Sequence, residues 1–233
     1  MKMEKITICG GGNGAQTLAC IASRNLTCHV DVYASFRDEA EKLREGIEAH
    51  GGIEARGAVR GTGRPHTVSG DAAEVIPGSH VVVLVVPAFA HESTLRAIVP
   101  YLDNGAWVGA MPARGGLDYC MARVLDDAGR SDVTIFGLQT LPWACRIAEY
   151  GRVVQVLGVK ETVDAASRPA ARLGRIASVL EQMLGVPIGD GGSMLALTLA
   201  NTGQIIHPGI MYDLFADWDG ETFDDGQVPL FYQ

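Results

Sequence analysis

Short apolar runs alternate along the chain with longer stretches in which apolar residues recur every three or four positions. The run at residues 5–9 predicts a strand, and a helix over about residues 14–23 follows it after a glycine-rich turn. Residues 28–33 predict a second strand, and residues 38–50 predict an amphipathic helix. Residues 80–86 are almost entirely apolar, which is typical of a parallel strand covered on both faces.

The alternation of strands and helices continues to about residue 188. Residues 51–70 are rich in glycine and predict a hairpin or loop that ends in a short strand, and residues 71–76 predict a brief helix. The remaining predicted helices span 91–101, 117–128 and 169–184, and the remaining predicted strands span 106–110, 133–136 and 153–159. Repeated β-α alternation predicts an α/β fold with a doubly wound, Rossmann-type parallel sheet.

The pattern changes after residue 188. The polar sequence GDGGS at 189–193 interrupts the chain, and the residues beyond it have a helical period and no strand candidate. We therefore predict one α/β domain over residues 1–190 and the start of an all-α domain over residues 191–233. A tail this short cannot complete a helical domain, so the chain is expected either to be a fragment or to pack its tail on another subunit.

Composition and charge narrow the class of protein. The chain has 233 residues, of which 47% are hydrophobic and 20% are charged, and 29 are glycine, which suits a glycine-rich α/β protein with its own core. The net charge of −8 gives no electrostatic support for a nucleic-acid or anionic-membrane partner. The longest apolar run, residues 81–90, is too short for a membrane span, which needs ~20 residues.

The cysteines and the start of the chain bear on location. The five cysteines are odd in number and lack the spacing of a metal site, so we predict reduced thiols and no bound metal. The chain enters its first predicted strand almost at once, so no signal peptide is expected. These features predict a cytoplasmic protein.

The first predicted strand leads into the glycine-rich sequence ICGGGNGAQTLA, which fits the pattern G-x-G-x-x-A through Gly10, Gly12 and Ala15. Gly10 would permit a tight turn, Gly12 would let backbone N–H groups approach a pyrophosphate, and Ala15 would keep helix and strand close. Asn13 and Gly14 would open a helix whose N-terminus favours phosphate. This turn predicts dinucleotide binding, and a purely structural glycine turn is the alternative.

The end of the second predicted strand bears on which dinucleotide binds. An acidic side chain there would accept hydrogen bonds from the adenosine ribose and favour NAD. In this sequence Ala34 and Ser35 stand in that place and Arg37 follows closely, so a 2′-phosphate would meet a hydroxyl group and a cation. We therefore predict NADP in preference to NAD, and a solvated Arg37 at the start of the next helix is the alternative.

Several stretches together resemble the opine dehydrogenases. They are CGGGNGAQTLA (9–19), VPAFAHE (86–92), LQTLPWACRI (138–147), HP (207–208) and WDG…PLFYQ (218–233), and they keep the order of that family. TLPWACR with the downstream HP pair is far more specific than the glycine pattern. The resemblance implies an oxidoreductase that condenses an amino acid with a 2-oxo acid, commonly pyruvate, and uses NADH or NADPH.

The resemblance also implies roles for single residues. His207 is expected to act as the catalytic acid, because an imidazole titrates near working pH, whereas the residues alone favour a core histidine. Pro87 and Phe89 are expected to line the nicotinamide–ribose region, with loop packing as the alternative. Thr140 is expected to bind a substrate carboxylate. His91 falls within VPAFAHE, where a capping or packing role is at least as well supported.

Arg114 departs from the family pattern, because a close relative would carry glutamine at this place. A guanidinium is a planar, two-pronged partner for a carboxylate, so Arg114 is expected to bind the substrate acid and to change which acid is accepted. An ordinary surface arginine is the alternative. In the family, an aspartate and an arginine from a later helical portion complete the site, and neither has a counterpart here.

Two other functions compete with this interpretation. A ketopantoate or 3-hydroxyacid reductase usually places a lysine on the helix that faces the nicotinamide, but the lysines of this chain, at positions 2, 5, 42 and 160, all precede the helical tail. A non-catalytic dinucleotide-binding module is the second alternative. The sequence leaves the amino-acid partner and the oligomeric state open.

Overall fold

A large mixed sheet and a smaller second sheet organise the computed structural model, which describes residues 3–200 and 203–217. The strands are β1 (Lys5–Cys9), β2 (His29–Tyr33), β3 (Ile53–Gly57), β4 (Gly61–Gly63), β5 (Thr67–Ser69), β6 (Val81–Leu84), β7 (Trp107–Ala110), β8 (Thr134–Leu138), β9 (Trp143–Glu149), β10 (Val153–Val159), β11 (Val163–Arg168) and β12 (Ile188–Asp190). The helices are α1 (Asn13–Asn25), α2 (Glu39–His50), α3 (Ala72–Val75), α4 (His91–Ile98), α5 (Leu117–Asp127), α6 (Leu173–Leu184), α7 (Met194–Leu199) and α8 (Gly203–Phe215).

The large sheet has the strand order β12-β11-β8-β7-β6-β1-β2-β5. The six neighbouring strands β5, β2, β1, β6, β7 and β8 run parallel to one another, and β11 pairs antiparallel with β8. The chain winds outward from β1 to β2 and β5 and then returns to β6 on the other side of β1. Ile6, Ile8, Val82 and Val83 are fully buried, as expected for strands covered on both faces. The predicted α/β class with a doubly wound parallel sheet is confirmed.

The second sheet, in the order β4-β3-β10-β9, was only partly anticipated. The hairpin expected within residues 51–70 is present as β3 and β4, and a short strand, β5, follows it. The expected strand at 153–159 exists as β10, but it pairs with β3 and β9 rather than extending the large sheet. TLPWACR follows β8, and its last four residues begin β9.

Helix α1 lies between the two sheets, and every residue from Gly14 to Ala22 is buried. A hydrogen bond joins this helix to the second sheet, because the Cys20 thiol donates to the Ile53 carbonyl at 2.9 Å. A Cβ at Gly63 of β4 would collide with the Cys20 carbonyl oxygen. The small sheet therefore rests directly on the backbone of α1.

The large sheet includes strands from further along the chain than the sequence indicated. Strands β11 and β12 were not predicted. The first compact unit spans Met1–Ala200, and the division of the chain after residue 190 stays a prediction. Helix α7 belongs to this unit because Met194 and Leu197 are buried in its core.

A second unit comprises residues 201–233, of which the structure describes 203–217 as helix α8 and two following residues. Pro208 lies inside this helix. The predicted start of an all-α domain stays a prediction, and the motif at 218–233 lies outside the described residues. No helix among the described residues is both long enough and apolar enough to cross a membrane.

Candidate functional site

The glycine turn between β1 and α1 has the geometry expected from its sequence. Gly10 adopts φ of +131°, and a Cβ there would lie 2.5 Å from the Val85 carbonyl oxygen, so only glycine fits. Its N–H donates to the Tyr33 carbonyl at 2.8 Å, which holds the turn against the end of β2. A Cβ at Gly12 would meet no atom within 4 Å, so the backbone is open to a ligand at the N-terminus of α1.

The first turn of α1 is fixed by hydrogen bonds to the second sheet. The Asn13 side-chain oxygen accepts from the Ile147 N–H at 2.8 Å. Gln16 donates to the Gly11 carbonyl at 2.8 Å and accepts from the Gly151 N–H at 3.0 Å. The Asn13 carboxamide oxygen therefore bonds the backbone of β9, and the cofactor contact expected at this position stays a prediction.

Close packing behind the glycine turn restricts the size of the side chains at Gly14 and Ala15, the two remaining predicted cofactor-binding positions. A Cβ at Gly14 would lie 3.0 Å from side-chain carbons of Val85 and Leu141, and Ala15 is buried. The N–H groups at the start of an α-helix have no partner within the helix. The turn therefore presents free backbone donors on a rigid support, as a phosphate site requires.

A cavity of about 410 Å³ lies beside this turn at the carboxyl end of β2, and we call it the β2-side cavity. Its walls come from the glycine turn, the end of β2, the first turn of α2 and the segment after β6; the lining side chains include Tyr33, Ser35, Phe36, Glu39, Pro87 and Phe89. Phe89 is 89% exposed and borders this cavity, and its expected place in the nicotinamide–ribose region stays a prediction.

Glu39 is the acidic residue of the β2-side cavity. A Cβ at Gly11 would lie 2.7 Å from Glu39 Oε2 and 2.8 Å from the Tyr150 hydroxyl oxygen, so the carboxylate lies against the glycine turn. Burial raises the pKa of Glu39, and the nearby Asp38 adds to the shift. Burial, with the charge of Glu39, raises the pKa of Tyr150 to about 12.

Sequence reasoning missed Glu39, because it considered only the residues that directly follow β2. Of the two residues predicted there to select NADP, Ser35 lines the cavity. Arg37 is exposed, and its guanidinium carbon lies 5.0 Å from the centre of the Phe36 ring. Arg37 also adopts φ of 50°, the left-handed region that is uncommon for a residue other than glycine.

A second cavity, of about 360 Å³, lies at the carboxyl ends of β6 and β7, and we call it the β7-side cavity. It shares Gly12 and residues 85–87 with the β2-side cavity. Its other lining residues are Asn13, Gly14, Ala88, His91, Met111, Pro112, Arg114 and Leu141. The glycine turn thus separates two neighbouring cavities at the strand order reversal, where open α/β sheets bind ligands.

The predicted substrate residues lie at or near the β7-side cavity. Arg114 is exposed and contributes to its wall. Thr140 is half-buried in the connection between β8 and β9, next to Leu141, which lines the same cavity. His207 lies in α8 of the second unit and is half-buried there, and its role as catalytic acid stays a prediction.

Another cavity lies at the opposite end of the large sheet. It is lined by Ser79, His80, Trp107, Arg172 and Arg175 near the amino ends of the strands. Ligands of open α/β sheets bind at the carboxyl ends, so this cavity is not the candidate site. Within residues 3–200 and 203–217, no group of three or more His, Cys, Asp or Glu side chains is arranged to hold a metal ion.

A parallel sheet, a glycine turn at a helix N-terminus and two flanking cavities define a Rossmann-type domain. No protein-family model matches the chain. The chain is 34% identical over 236 residues to octopine dehydrogenase of Mizuhopecten yessoensis, covering 98% of this chain and 58% of that protein. It is 35% identical over 246 residues to opine dehydrogenase of Haliotis discus hannai, covering 99% of this chain and 59% of that protein.

A solved structure of octopine dehydrogenase with NADH and L-arginine superposes with a TM-score of 0.80 at 29% identity, covering 95% of this chain and 57% of that one. The chain is therefore a homologue of the opine dehydrogenases over nearly its whole length, and the resemblance predicted from its motifs is confirmed. It spans 58% of the length of the octopine dehydrogenase it matches.

Proposed function

We propose that the protein acts as an opine dehydrogenase, an oxidoreductase of CH–NH bonds that condenses an amino acid with a 2-oxo acid such as pyruvate and uses a reduced nicotinamide dinucleotide. The observation that carries this proposal is the glycine turn between two cavities, in a chain with homology to opine dehydrogenases along nearly its whole length. The structure of a relative with NADH and L-arginine supports it.

The proposed cofactor position follows from the shape of the site. The adenosine half would occupy the β2-side cavity, the pyrophosphate would lie at Gly12–Gly14, and the nicotinamide half would enter the β7-side cavity. The bound cofactor supplies a hydride to the imine that forms from the two substrates. This position puts Arg114 on the nicotinamide side, where its guanidinium would bind a substrate carboxylate with Thr140 nearby.

His207 is proposed as the proton donor. As the amine adds to the carbonyl carbon and water leaves, the carbonyl oxygen must gain protons, and an imidazole exchanges protons near neutral pH. This role rests on the similarity of the HP sequence to the family motif. The proposal makes His207 a catalytic residue that the second unit contributes.

We further propose that NADH is the preferred cofactor, although the sequence favoured NADP. Glu39 lies against Gly11 in the β2-side cavity, where its carboxylate would accept hydrogen bonds from the adenosine ribose hydroxyls and repel a 2′-phosphate. Arg37 is exposed at the edge of this region, away from the cavity lining, so it would offset that repulsion only weakly.

Cofactor choice is tested by titrating the protein with NADH and NADPH and following nicotinamide fluorescence. The unaltered protein is expected to bind NADH more tightly, and Glu39→Gln is expected to narrow the difference by improving NADPH binding. Glu41→Gln, an exposed residue on the same helix, is the matched control and should leave both affinities unchanged. Tighter NADPH binding by the unaltered protein would support the sequence prediction instead.

Activity is tested by mixing the protein with NADH, pyruvate and a panel of amino acids and recording loss of nicotinamide absorbance. Oxidation with one or more amino acids is expected, and His207→Asn should lower kcat by about 10²- to 10⁴-fold without changing NADH affinity. Tight NADH binding with no oxidation for any pair of substrates would instead support a non-catalytic dinucleotide-binding module.

A cytoplasmic location is also proposed. All five cysteines are free thiols, as a reducing compartment would keep them. Burial raises the pKa of Cys9, Cys20 and Cys145, so these thiols stay protonated and unreactive. Localisation of the tagged protein by microscopy would test this proposal.

A further inference from the structure

His91 is a buried titratable residue in the wall of the β7-side cavity. It is the first residue of α4 and only 5% exposed. The cavity it lines is also bounded by the Gly12–Gly14 turn, Pro87 and Arg114. The reaction proposed above assigns no role to this imidazole.

The hydrogen bonds of the His91 ring are incomplete. The Val86 carbonyl accepts a hydrogen bond from the ring. The Nε2 atom is buried and has no hydrogen-bond partner within the part of the chain that the structure describes. The bond to Val86 therefore involves Nδ1–H, which leaves Nε2 as the atom with a lone pair in the neutral ring.

One further observation supports a neutral ring with a free acceptor. Burial lowers the pKa of His91, so the imidazole is uncharged at neutral pH. A buried acceptor without a donor is costly, and in native structures such groups are rare unless a ligand or water satisfies them.

We propose that Nε2 of His91 accepts a hydrogen bond from a ribose hydroxyl on the nicotinamide half of the bound dinucleotide. The inference rests on the proposed function, which puts the pyrophosphate at Gly12–Gly14. The ribose is the next group beyond the pyrophosphate, and the cavity joins that turn directly to His91. His91 is then a cofactor-binding residue that fixes the nicotinamide half while Val86 fixes the ring.

A packing or capping role does not account for this arrangement. The residue before the helix is Ala90, and the ring bonds the Val86 carbonyl rather than an N–H group of α4. A ring needed only to fill space would not require a second nitrogen without a partner. The acceptor has a purpose once a hydroxyl group enters the cavity.

Two substitutions, made in the full chain, distinguish the roles of the two ring nitrogens. His91→Asn keeps a donor near the position of Nδ1 and removes the acceptor, whereas His91→Gln places a polar atom near the position of Nε2. NADH titration is expected to show binding about fivefold weaker for His91→Asn and nearly unchanged for His91→Gln. His80→Asn is the matched control, because His80 also has a buried nitrogen without a partner in the described residues but lies at the amino end of β6.

The same titration with the 3-acetylpyridine analogue of NADH identifies the donor. This analogue lacks the carboxamide N–H₂ group and keeps the ribose, so the loss in His91→Asn should persist. A loss that disappears with the analogue would assign the donor to the carboxamide and overturn the ribose assignment. Unchanged NADH affinity in His91→Asn would overturn the role of His91 altogether.

A measurement on the unaltered protein covers the case in which a variant does not fold. With ¹⁵N-labelled histidine, the resonance of the unprotonated His91 nitrogen is expected to shift when NADH is added, and an unchanged resonance would contradict the proposal. If the unaltered protein failed to bind NADH at all, the proposed function and this inference would both be wrong. Binding with no effect at His91 would overturn the inference alone.

Discussion

At the scale of single residues, Gly10 and Gly12 serve one turn under different constraints. Gly10 has φ of +131°, and a side chain there would meet the Val85 carbonyl. Gly12 has a negative φ, and a side chain there would meet no atom of the protein within 4 Å. The fold itself therefore requires glycine at position 10, whereas only a ligand at the helix N-terminus would require it at position 12.

We predict that Gly10→Ala and Gly12→Ala separate stability from binding. Gly10→Ala should lower the free energy of unfolding by about 1–3 kcal/mol, because the cost of the strained backbone and the cost of the clash with the Val85 carbonyl add together. Gly12→Ala should change stability less and still weaken NADH binding, because its methyl group would occupy the phosphate position. Thermal melts and NADH titrations check both, and equal NADH affinity for Gly12→Ala and the unaltered protein would contradict the proposed phosphate position.

The lowered pKa of His91 predicts a pH dependence of stability. Below its usual pKa of 6.5 the unfolded chain takes up a proton at His91 that the folded protein resists, so this residue reduces stability as pH falls below that value. The loss should be at most about 1.4 kcal/mol per pH unit. His91→Gln should therefore lose less stability than the unaltered protein between pH 7.5 and pH 5.5 in paired thermal melts. Parallel pH profiles for the two proteins would contradict this assignment.

The site residues differ in how far the sequence could predict them. The glycine turn is a local feature, since its conformation depends on consecutive residues between one strand and one helix. Glu39 reaches the same cavity from the first turn of α2, and the cavity position of His91 depends on how α4 packs against the sheet. Those placements are set by tertiary packing, which periodicity does not specify.

At the scale of elements, α1 packs against both sheets and so connects them. Most predicted strands and helices are present, but periodicity does not state which sheet a strand joins, so β10 was counted with the large sheet. Strand β11, with the sequence VDAASR, was missed because alanine, aspartate and serine have little strand preference. The mostly small and apolar sequence of α1 was the available signal that a second layer covers it.

The contact between β4 and α1 predicts a strong effect of Gly63→Ala. Its methyl group would collide with the Cys20 carbonyl, and relief requires a shift of the small sheet away from α1. Such overpacking costs about 1–3 kcal/mol. Gly158→Ala in β10 is the control, because a Cβ there meets nothing within 4 Å and should leave stability nearly unchanged. Chemical denaturation measures both, and equal stabilities would show that the sheet moves freely on the helix.

At the scale of the whole molecule, the proposed functions divide between two units. Both cavities are lined by residues of the unit that ends at Ala200, whereas His207 lies in the second unit. Dinucleotide binding and proton donation would then depend on different parts of the chain.

We predict that residues 1–200 expressed alone bind NADH with the affinity of the full chain. All described residues of the two cavities are retained, and the described residues of both hydrophobic cores lie within the first unit. The shortened protein should show no oxidation of NADH with any substrate pair, because His207 is removed. A large loss of NADH affinity on shortening would mean that the second unit also contributes to the cofactor site.

The position of α1 between two layers has a consequence for anyone who engineers this protein. An ordinary surface helix tolerates replacement at every third or fourth codon, where its side chains point to solvent. From Gly14 to Ala22 every residue of this helix is buried, so no face of it points to solvent. In a saturation-mutagenesis library, most substitutions at each of these consecutive positions should therefore destabilise the protein. Dyes, tags and crosslinkers therefore belong elsewhere on the chain.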